Sequence, residues 1–336
     1  MAEMSHYLQD IAQAASQLEL PQEGNILVTG ATGLIGSCLV DMLMLHTPCH
    51  IYALGRNRQR AAARFHDYWQ QERFHFIEHD ISRPLSTTED FHYIIHAASN
   101  ASPNFFQQSP VEVMKANLNG VCHLAEYGLQ HQMKRMVYVS SGEVYGEGDG
   151  SVFTEQSSGY IDITSPRACY PSSKRAAETL CAAYGQEYGA QIVTARLCHT
   201  YGPHFTESDN RVYAQFIRNV LNGEDIIMKS LGAQYRSWLY VVDCAAAILT
   251  LLMKGKSGEA YNVANEESNI TIRQLAEKIA AIGGRQVRME ITDNGNTTPI
   301  TKAVFSTQKI EQLGWKPLFG IDEGLEHTIL GAKGEG

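Results

Sequence analysis

The stretch NILVTGATGLIG, Asn25 to Gly36, decides the fold. Its first part is rich in apolar and β-branched residues, which is typical of a buried strand. Glycines follow at every third position, and an apolar helical pattern begins at the last of them. A glycine turn between strand and helix lets the backbone approach a pyrophosphate, whose charge the helix N-terminus favours. The stretch therefore predicts a dinucleotide site with contacts from Gly30, Thr32, Gly33, Leu34, Ile35 and Gly36.

Short apolar strands alternate with helical segments from Asn25 to about Leu197, which favours an α/β fold of Rossmann type with a doubly wound parallel sheet. We expect a helical extension over residues 1–24, a dinucleotide-binding domain over 25–197, and a smaller C-terminal α/β lobe over 198–336. That lobe is expected mainly to bind substrate and to interleave with the sheet. The strand candidates are 25–30, 50–55, 74–80, 93–99, 136–141 and 191–197, and the clearest helices are 37–46, 111–130 and 172–189.

Composition excludes several classes of function. The net charge of −9 argues against nucleic acid as the main partner. No apolar run approaches the ~18 residues of a membrane span, and the acidic residues of the first segment argue against a signal peptide. Seven cysteines without CxxC spacing favour a reducing, cytoplasmic setting. Thirteen histidines include no HExxH motif or Cys/His cluster, so we expect no metal.

The residues after the second strand leave the dinucleotide open between NAD and NADP. Gly55-Arg56-Asn57-Arg58 lacks the carboxylate that commonly binds the adenine ribose. Arg56 and Arg58 would suit a 2′-phosphate, or they simply begin the next helix. Further cofactor contacts are expected from Asp80 and Ile81 after the third strand, and from Ala97 and Ala98, whose backbone amides would pass the pyrophosphate.

Tyr170 and Lys174 form a Y-x-x-x-K pair, and this spacing puts both side chains on one face of a helix. An ammonium near a phenol stabilises the phenolate and so makes tyrosine a usable base. A hydroxyl of Ser140 or Ser141, at the end of the strand candidate 136–141, would share the substrate proton. Glu143 follows this strand after a glycine, at the mouth of the predicted cleft.

These motifs, together with HAASNASP (96–103), RLCHTYGP (196–203), QYRSWLYVVDC (234–244) and LGWKP (313–317), resemble those of the extended short-chain dehydrogenase/reductase superfamily. Within its nucleotide-sugar epimerase/dehydratase branch the chain is most similar to UDP-glucuronate decarboxylases. The stretch PRACYPSSKRAAETLC (166–181) carries much of this likeness. The resemblance covers nearly the whole chain and implies a homodimer, formed through helices such as those holding 104–130 and 172–188.

The resemblance implies transient oxidation of a nucleotide sugar at C4, followed by chemistry at C5 or C6. Tyr170, Lys174 and Ser141 would handle the 4-hydroxyl proton and Glu143 a proton at C5, although Glu143 could instead only bond local amides. Arg236 would bind a carboxylate or diphosphate, and Asn117 would belong to the cofactor site. The other residues expected at the substrate are Ser99, His199, Arg211 and Lys229.

Alternative activities are a 4,6-dehydratase, a 4-epimerase, an NADPH-dependent reductase, or a non-catalytic dinucleotide-binding protein. Gly142 stands where decarboxylases have serine and dehydratases an aspartate, which disfavours dehydration and leaves room for a bulkier sugar substituent. His199 replaces an asparagine and Lys229 a tyrosine, while His204 replaces an arginine. At Thr301-Lys302 the family's arginine is missing, and Lys302 is the candidate substitute.

Overall fold

A computed structural model describes residues 5–99, 101, 103–291 and 302–334. The strands are β1 Asn25–Thr29, β2 His50–Gly55, β3 Phe74–Glu78, β4 Tyr93–His96, β5 Arg135–Ser141, β6 Ile192–Leu197, β7 His199–Tyr201, β8 Ile226–Met228, β9 Tyr235–Tyr240, β10 Ala260–Val263, β11 Asn265–Thr271, β12 Val287–Met289 and β13 Lys302–Ala303. The helices are α1 His6–Ala15, α2 Leu34–His46, α3 Arg58–Arg64, α4 Pro103–Gln108, α5 Pro110–Gln130, α6 Cys169–Tyr188, α7 Val212–Leu221, α8 Val241–Lys254, α9 Ile272–Ile282, α10 Gln308–Glu311 and α11 Ile321–Lys333.

The predicted parallel sheet is confirmed and has seven strands in the order β10-β6-β5-β4-β1-β2-β3. All neighbours in it are parallel; Val28, for example, is in register with Ala53 on one side and Ile95 on the other. Because the strands run the same way, β1, β4 and β5 all end at one edge. That edge is where ligands bind in sheets of this kind.

Helices cover both faces of the sheet. One apolar core includes residues of α2 and α8, such as Leu39 and Ile248, and the other includes residues of α5 and α6, such as Leu124 and Cys181. The strands buried between these layers read as nearly continuous apolar runs, which explains why the sequence pattern predicts them well.

The chain after β6 contributes to both the sheet and a smaller region. Strand β10 is the seventh strand of the main sheet, beside β6. A second sheet contains β11, β9 and β13, with β7 also paired to β9, and a third contains β12 and β8. The interleaving is as expected, although the domain boundaries themselves stay a prediction.

Several predicted boundaries differ from the observed ones. The third and fourth strands end at Glu78 and His96, so Asp80 and Ser99 lie in the turns that follow them. The helix predicted over 111–130 is confirmed as α5, which begins with Pro110 at its first position because proline cannot donate to the turn before it, and the shorter α4 precedes it.

Helix α1 is the predicted N-terminal extension, and it packs on α2, α8 and α11. The Tyr7 hydroxyl donates to Asp41 at 2.7 Å, and the Tyr240 hydroxyl donates to Asp10 at 3.0 Å. Residues 1–4 of the predicted extension lie outside the described residues. Across the part of the chain that the structure describes, no helix is long and apolar enough to cross a membrane.

Candidate active site

The glycine turn after β1 has the close backbone packing that a dinucleotide site needs. Gly30 has a φ of +67°, and a Cβ there would lie 2.8 Å from Cα of Ala98. A Cβ on Gly36 would collide with the carbonyl oxygen of Gly30. Gly33 precedes α2 and offers no side-chain cap, so the thirteen-residue helix presents its N-terminus without a capping oxygen. These residues fit a bound pyrophosphate.

Arginines surround the end of this site near β2. Arg56 is exposed, and its charge contributes to a lowered pKa of Asp80, mainly caused by the backbone N–H of Ser82. Arg58 begins α3 and lies over the Trp69 ring. This position agrees with the alternative in which the arginine simply begins the next helix. Arg60, which the sequence analysis missed, donates to the carbonyl oxygen of Thr32 at 3.1 Å.

The end of β4 is fixed by a buried hydroxyl. Thr29 Oγ1 lies 2.8 Å from Nδ1 of His96 and accepts the N–H of Ala98 at 3.2 Å. The Ala98 amide is therefore engaged by the protein, and a contact of Ala97 or Ala98 with the dinucleotide stays a prediction. Ala97 lies beside it, within 2.9 Å of where a Gly30 side chain would begin.

Tyr170 is buried in the first turn of α6, close to the ends of β4 and β5. Burial raises the pKa of Tyr170 to about 12, and the negative charge of Glu143 contributes to the rise. Hydrogen bonds from Ser141 and Ser99 act in the opposite direction, and so does the charge of Arg211. The structure therefore brings four other predicted site residues, Ser99, Ser141, Glu143 and Arg211, to the phenol of Tyr170.

Lys174 lies one turn further along α6 and is buried. Its Nζ donates to the carbonyl oxygen of Val139 at 2.8 Å and lies 5.7 Å from the centre of the Tyr170 ring. Burial lowers the pKa of Lys174 to about 7, against the opposing charge of Glu178. The lysine is directed at a backbone carbonyl and burial dominates at both groups, so an effect of this ammonium on the phenol pKa stays a prediction.

Asn117 is buried within a chain of side-chain hydrogen bonds. It accepts from the Ser99 hydroxyl at 2.9 Å and donates to Ser173 Oγ at 2.9 Å. Ser173 in turn donates to the carbonyl oxygen of Cys169, at the start of α6. In this structure Asn117 thus joins α5 to the serine that contacts Tyr170.

Glu143 lies in a short 3-10 turn, Gly142–Tyr145, directly after β5. Its backbone N–H donates to Ser141 Oγ at 3.2 Å. Its two carboxylate oxygens accept from Nη2 of Arg167 at 3.1 and 3.3 Å. Arg167 also lies 4.7 Å from the centre of the Phe106 ring. Both charged side chains are partly exposed, so this pair stands at the surface of the cleft.

Arg167 and Phe106 are site residues that the sequence analysis did not single out. The Phe106 ring stacks on the Tyr170 ring with a centre distance of 4.7 Å, so it connects the arginine to the phenol. Arg167 stands inside the PRACY stretch, and that position was the available signal. Phe106 had no comparable signal, because its role depends on where α4 packs.

Two further arginines lie near the phenol and the carboxylate. Arg236 on β9 is largely buried, which lowers its pKa, and the negative charge of Glu143 opposes this change. Arg211 pairs with Asp209 at 2.5 Å, and its positive charge reaches Tyr170. The cleft is thus rich in positive charge although the protein is acidic overall.

His199, at the start of β7, keeps part of its surface exposed, while neighbouring protein removes water from the rest. This partial desolvation lowers the pKa of His199 to about 4, and the charges of Arg236 and Arg211 contribute. The ring is therefore neutral near pH 7. Its ring lies 5.2 Å from that of Trp238.

Gly142 has no space for a side chain. A Cβ there would lie 2.6 Å from Cε1 of Phe305 and would collide with the ring's Cζ. The room that the sequence analysis assigned to a bulkier sugar substituent is therefore filled by an aromatic ring. Phe305 comes from the distant C-terminal part of the chain, which explains why the sequence did not reveal this pairing.

The remaining expected residues lie after β8, in β13 and between β7 and α7. Lys229 is exposed directly after β8. Lys302 pairs with Tyr235 next to Arg236, and Thr301 lies outside the described residues. His204 packs edge-on against Tyr7 of α1 at 4.7 Å, so it serves the N-terminal extension. The residues that the structure describes contain no group of three side chains suited to a metal ion.

The model of the NAD dependent epimerase/dehydratase family matches residues 26–264. UDP-glucuronic acid decarboxylase 6 of Arabidopsis thaliana is 33% identical over 301 residues, which are 89% of this chain and 86% of the relative. UDP-glucuronic acid decarboxylase 1 of Xenopus tropicalis is 31% identical over 310 residues, 90% of this chain and 71% of the relative.

Solved structures of an epimerase and a dehydratase have a similar fold. The UDP-glucose 4-epimerase of Thermotoga maritima, with UDP-glucose, has a TM-score of 0.79 and 25% identity, covering 91% of this chain and 97% of its own. The dTDP-glucose 4,6-dehydratase of Streptomyces venezuelae, with NAD bound, has a TM-score of 0.78 and 25% identity, covering 91% and 96%.

Proposed function

The chain belongs to the NAD dependent epimerase/dehydratase family, and from this premise we propose that it removes CO2 from a UDP-linked uronic acid, with UDP-glucuronate as the first candidate. Relatives that carry the name UDP-glucuronic acid decarboxylase match about nine-tenths of the chain. That likeness supports both the nucleotide and the sugar.

One observation carries the proposal, which is the positive charge around Tyr170 and Glu143. Arg167, Arg236 and Arg211 all act on one of these two groups. A nucleotide uronate carries negative charge on its diphosphate and on its C6 carboxylate. Guanidinium groups bind either oxyanion through paired hydrogen bonds, so three arginines in an acidic protein favour a substrate with both.

NAD would lie along the turn from Gly30 to Gly36, where, when bound, it supplies a reversible hydride acceptor for the sugar's C4. The fit rests on the close packing at Gly30 and on the uncapped start of α2. We keep Thr32, Leu34, Ile35, Asp80 and Ile81 as proposed contacts. The arginines at 56 and 60 leave NADP as a second possibility, to be decided by comparing the affinity of the two dinucleotides.

Tyr170 acts as the base for the 4-hydroxyl proton in this scheme. Hydrogen bonds from the Ser141 and Ser99 hydroxyls lower the pKa of this phenol from the value that burial alone would give. The phenol needs further stabilisation to work near neutrality, and the positive charges of Lys174 and Arg211 are the groups positioned to give it. Asn117 positions Ser99 and is a positioning residue.

Glu143 and the arginines handle the other end of the sugar. A ketone at C4 makes the C6 carboxylate a β-keto acid, so the C5–C6 bond breaks and its electron pair passes to the enolate as CO2 leaves. Arg236 and Arg167 bind the carboxylate before this step. Glu143 then provides a proton to C5, either directly or through water. His199, Lys229 and Lys302 are proposed to contact the nucleotide sugar away from the reacting carbons.

The test is incubation with UDP-glucuronate and NAD, followed by mass analysis of the nucleotide sugar. We expect the product to have lost the mass of one CO2, without net cofactor reduction. Loss of one water would favour a 4,6-dehydratase, and unchanged mass with inverted C4 a 4-epimerase. Consumption of NADPH in proportion to product would identify a reductase, and an absence of any turnover would favour a non-catalytic binding protein.

We also propose a homodimer that forms through the outer faces of α5 and α6. Leu129 and Tyr188 expose large apolar surfaces there, at 41% and 58% of the residue, beside a groove lined by Glu126, Leu180 and Tyr184. Light scattering during size-exclusion chromatography measures the mass directly. A cytoplasmic setting is proposed as well, and the seven free cysteines support it.

A further inference from the structure

The 3-10 turn that carries Glu143 contributes its last residue, Tyr145, to an aromatic cluster with Phe153 and Phe305. The rings of Tyr145 and Phe153 stack with centres 4.7 Å apart. Phe305 lies 5.7 Å from Tyr145 and 5.8 Å from Phe153. All three side chains are buried, so close packing in this cluster fixes the position of the turn.

The ring of Phe305 supplies the atoms nearest to the place where a side chain of Gly142 would begin. A side chain on Gly142 would begin 2.6 Å from Cε1 of the ring and collide with Cζ, and real Cβ atoms do not come so close. Leu197 contributes the other wall, through its carbonyl oxygen at 3.4 Å. The glycine is thus required by the ring, whereas its backbone φ is compatible with other residues.

The backbone around Phe305 is hydrogen-bonded to two other segments of the chain. Its N–H donates to Ser237 Oγ at 3.2 Å, next to Arg236 on β9. The preceding residue, Val304, accepts the N–H of Phe153 at 2.9 Å. The ring therefore has a fixed position relative to both Glu143 and Arg236.

The chemistry at this point depends on whether position 142 carries an acidic side chain. Elimination of water from the sugar breaks a C–O bond and needs an acid that gives a proton to the leaving oxygen. Release of CO2 breaks a C–C bond and needs no acid at the leaving group. A turn without a side chain at 142 leaves Glu143 to protonate carbon, which suits the second reaction.

We propose that Phe305 is a positioning and specificity-determining residue, whose ring excludes a side chain at 142 and fixes Glu143 for proton transfer at C5. This inference rests on the proposed function and adds a residue from the C-terminal lobe to its site. The ring does not contact reacting atoms, so it acts through the turn.

The test combines Gly142→Ser, Phe305→Ala and the double variant, with Phe153→Ala as a matched loss of a ring from the same cluster. Gly142→Ser alone should lower the folding equilibrium constant about tenfold or more, as overpacking does. In the Phe305→Ala background the same serine should cost less than about twofold, whereas in the Phe153→Ala background its full cost should remain. Equal cost in all three backgrounds would overturn the proposal.

A second readout follows product identity with UDP-glucuronate. Phe305→Ala should still release CO2, but the fraction of product released as the 4-keto pentose should rise about tenfold, because water rather than Glu143 then protonates C5 and the sugar leaves before the hydride returns. Each such molecule should leave one reduced cofactor behind. Phe153→Ala should leave this fraction unchanged. A Phe305→Ala enzyme with the wild-type fraction would overturn the positioning role. A wild type that releases no CO2 would refute the proposed function, while the unfolding data, which use no substrate, still decide the role of the ring.

Discussion

Replacing Lys174 with methionine should make the protein's stability respond differently to pH. Lys174 is almost fully buried, and its pKa is lowered to about 7, whereas an unfolded lysine has a pKa of about 10.4. Between these values the unfolded chain binds more protons, so this lysine's contribution to the free energy of unfolding rises with pH. It is least favourable below pH 7, where burying the ammonium costs most.

The magnitude follows from the two pKa values. Each pKa unit corresponds to about 1.4 kcal/mol, and Lys174 is half protonated near pH 7. From pH 7 to pH 9 the wild type should therefore gain about 2 kcal/mol relative to Lys174→Met. Buried thiols in the other core, such as Cys38 and Cys244, also titrate, but their effects cancel in the difference between the two proteins because they do not interact with Lys174.

The assay is urea unfolding of both proteins without cofactor at several values between pH 7 and pH 9. Methionine keeps the volume of the side chain, and the loss of the bond to the Val139 carbonyl lowers stability equally at each pH. Lys115→Met, on the exposed face of α5, controls for removal of a lysine as such. A difference between wild type and Lys174→Met that stays constant with pH would refute the reasoning.

Three other substitutions test separate parts of the site. Tyr170→Phe should lower turnover about 100- to 10,000-fold, while a fluorescence titration should show unchanged dinucleotide affinity; full turnover would refute the phenol as the base. Arg167→Gln removes the partner of Glu143 and should weaken binding of UDP-glucuronate by about 1.5–3 kcal/mol, with little effect on UDP-glucose. Calorimetry measures both affinities, and an equal loss for the two ligands would contradict a carboxylate contact. Asn117→Ala removes one hydrogen-bond partner from half-buried Ser99 and one from buried Ser173, and it should lower the free energy of unfolding by about 2–4 kcal/mol. A loss below about 1 kcal/mol in urea unfolding, on the order of a single exposed hydrogen bond, would contradict that network.

Local pattern was sufficient for the parts of the fold and site that lie close together in sequence. The strand, glycine turn and helix from Asn25 to His46 form from adjacent residues, and Tyr170 and Lys174 share one helix. The parallel sheet followed from buried apolar runs alternating with helices. Such features depend on periodicity and turn chemistry, which a sequence displays directly.

The features that the sequence did not reveal all depend on tertiary packing. The sequence shows Gly142 but not the Phe305 ring beneath it, which comes from more than 150 positions away in the chain. Burial, rather than the neighbouring phenol, determines the pKa of Lys174. Arg167 lies in a motif that was recognised, yet only the fold brings its guanidinium to Glu143.

In the proposed reaction a nucleotide uronate is oxidised transiently at C4, while Tyr170 accepts the 4-hydroxyl proton and Glu143 donates a proton to C5. The most direct measurement uses UDP-glucuronate labelled with deuterium at C4, in ordinary water, followed by mass and NMR analysis of the product. The account predicts a UDP-pentose that keeps the label at C4 and carries a solvent proton at C5. Label lost to water, or found on released cofactor in proportion to product, would contradict it.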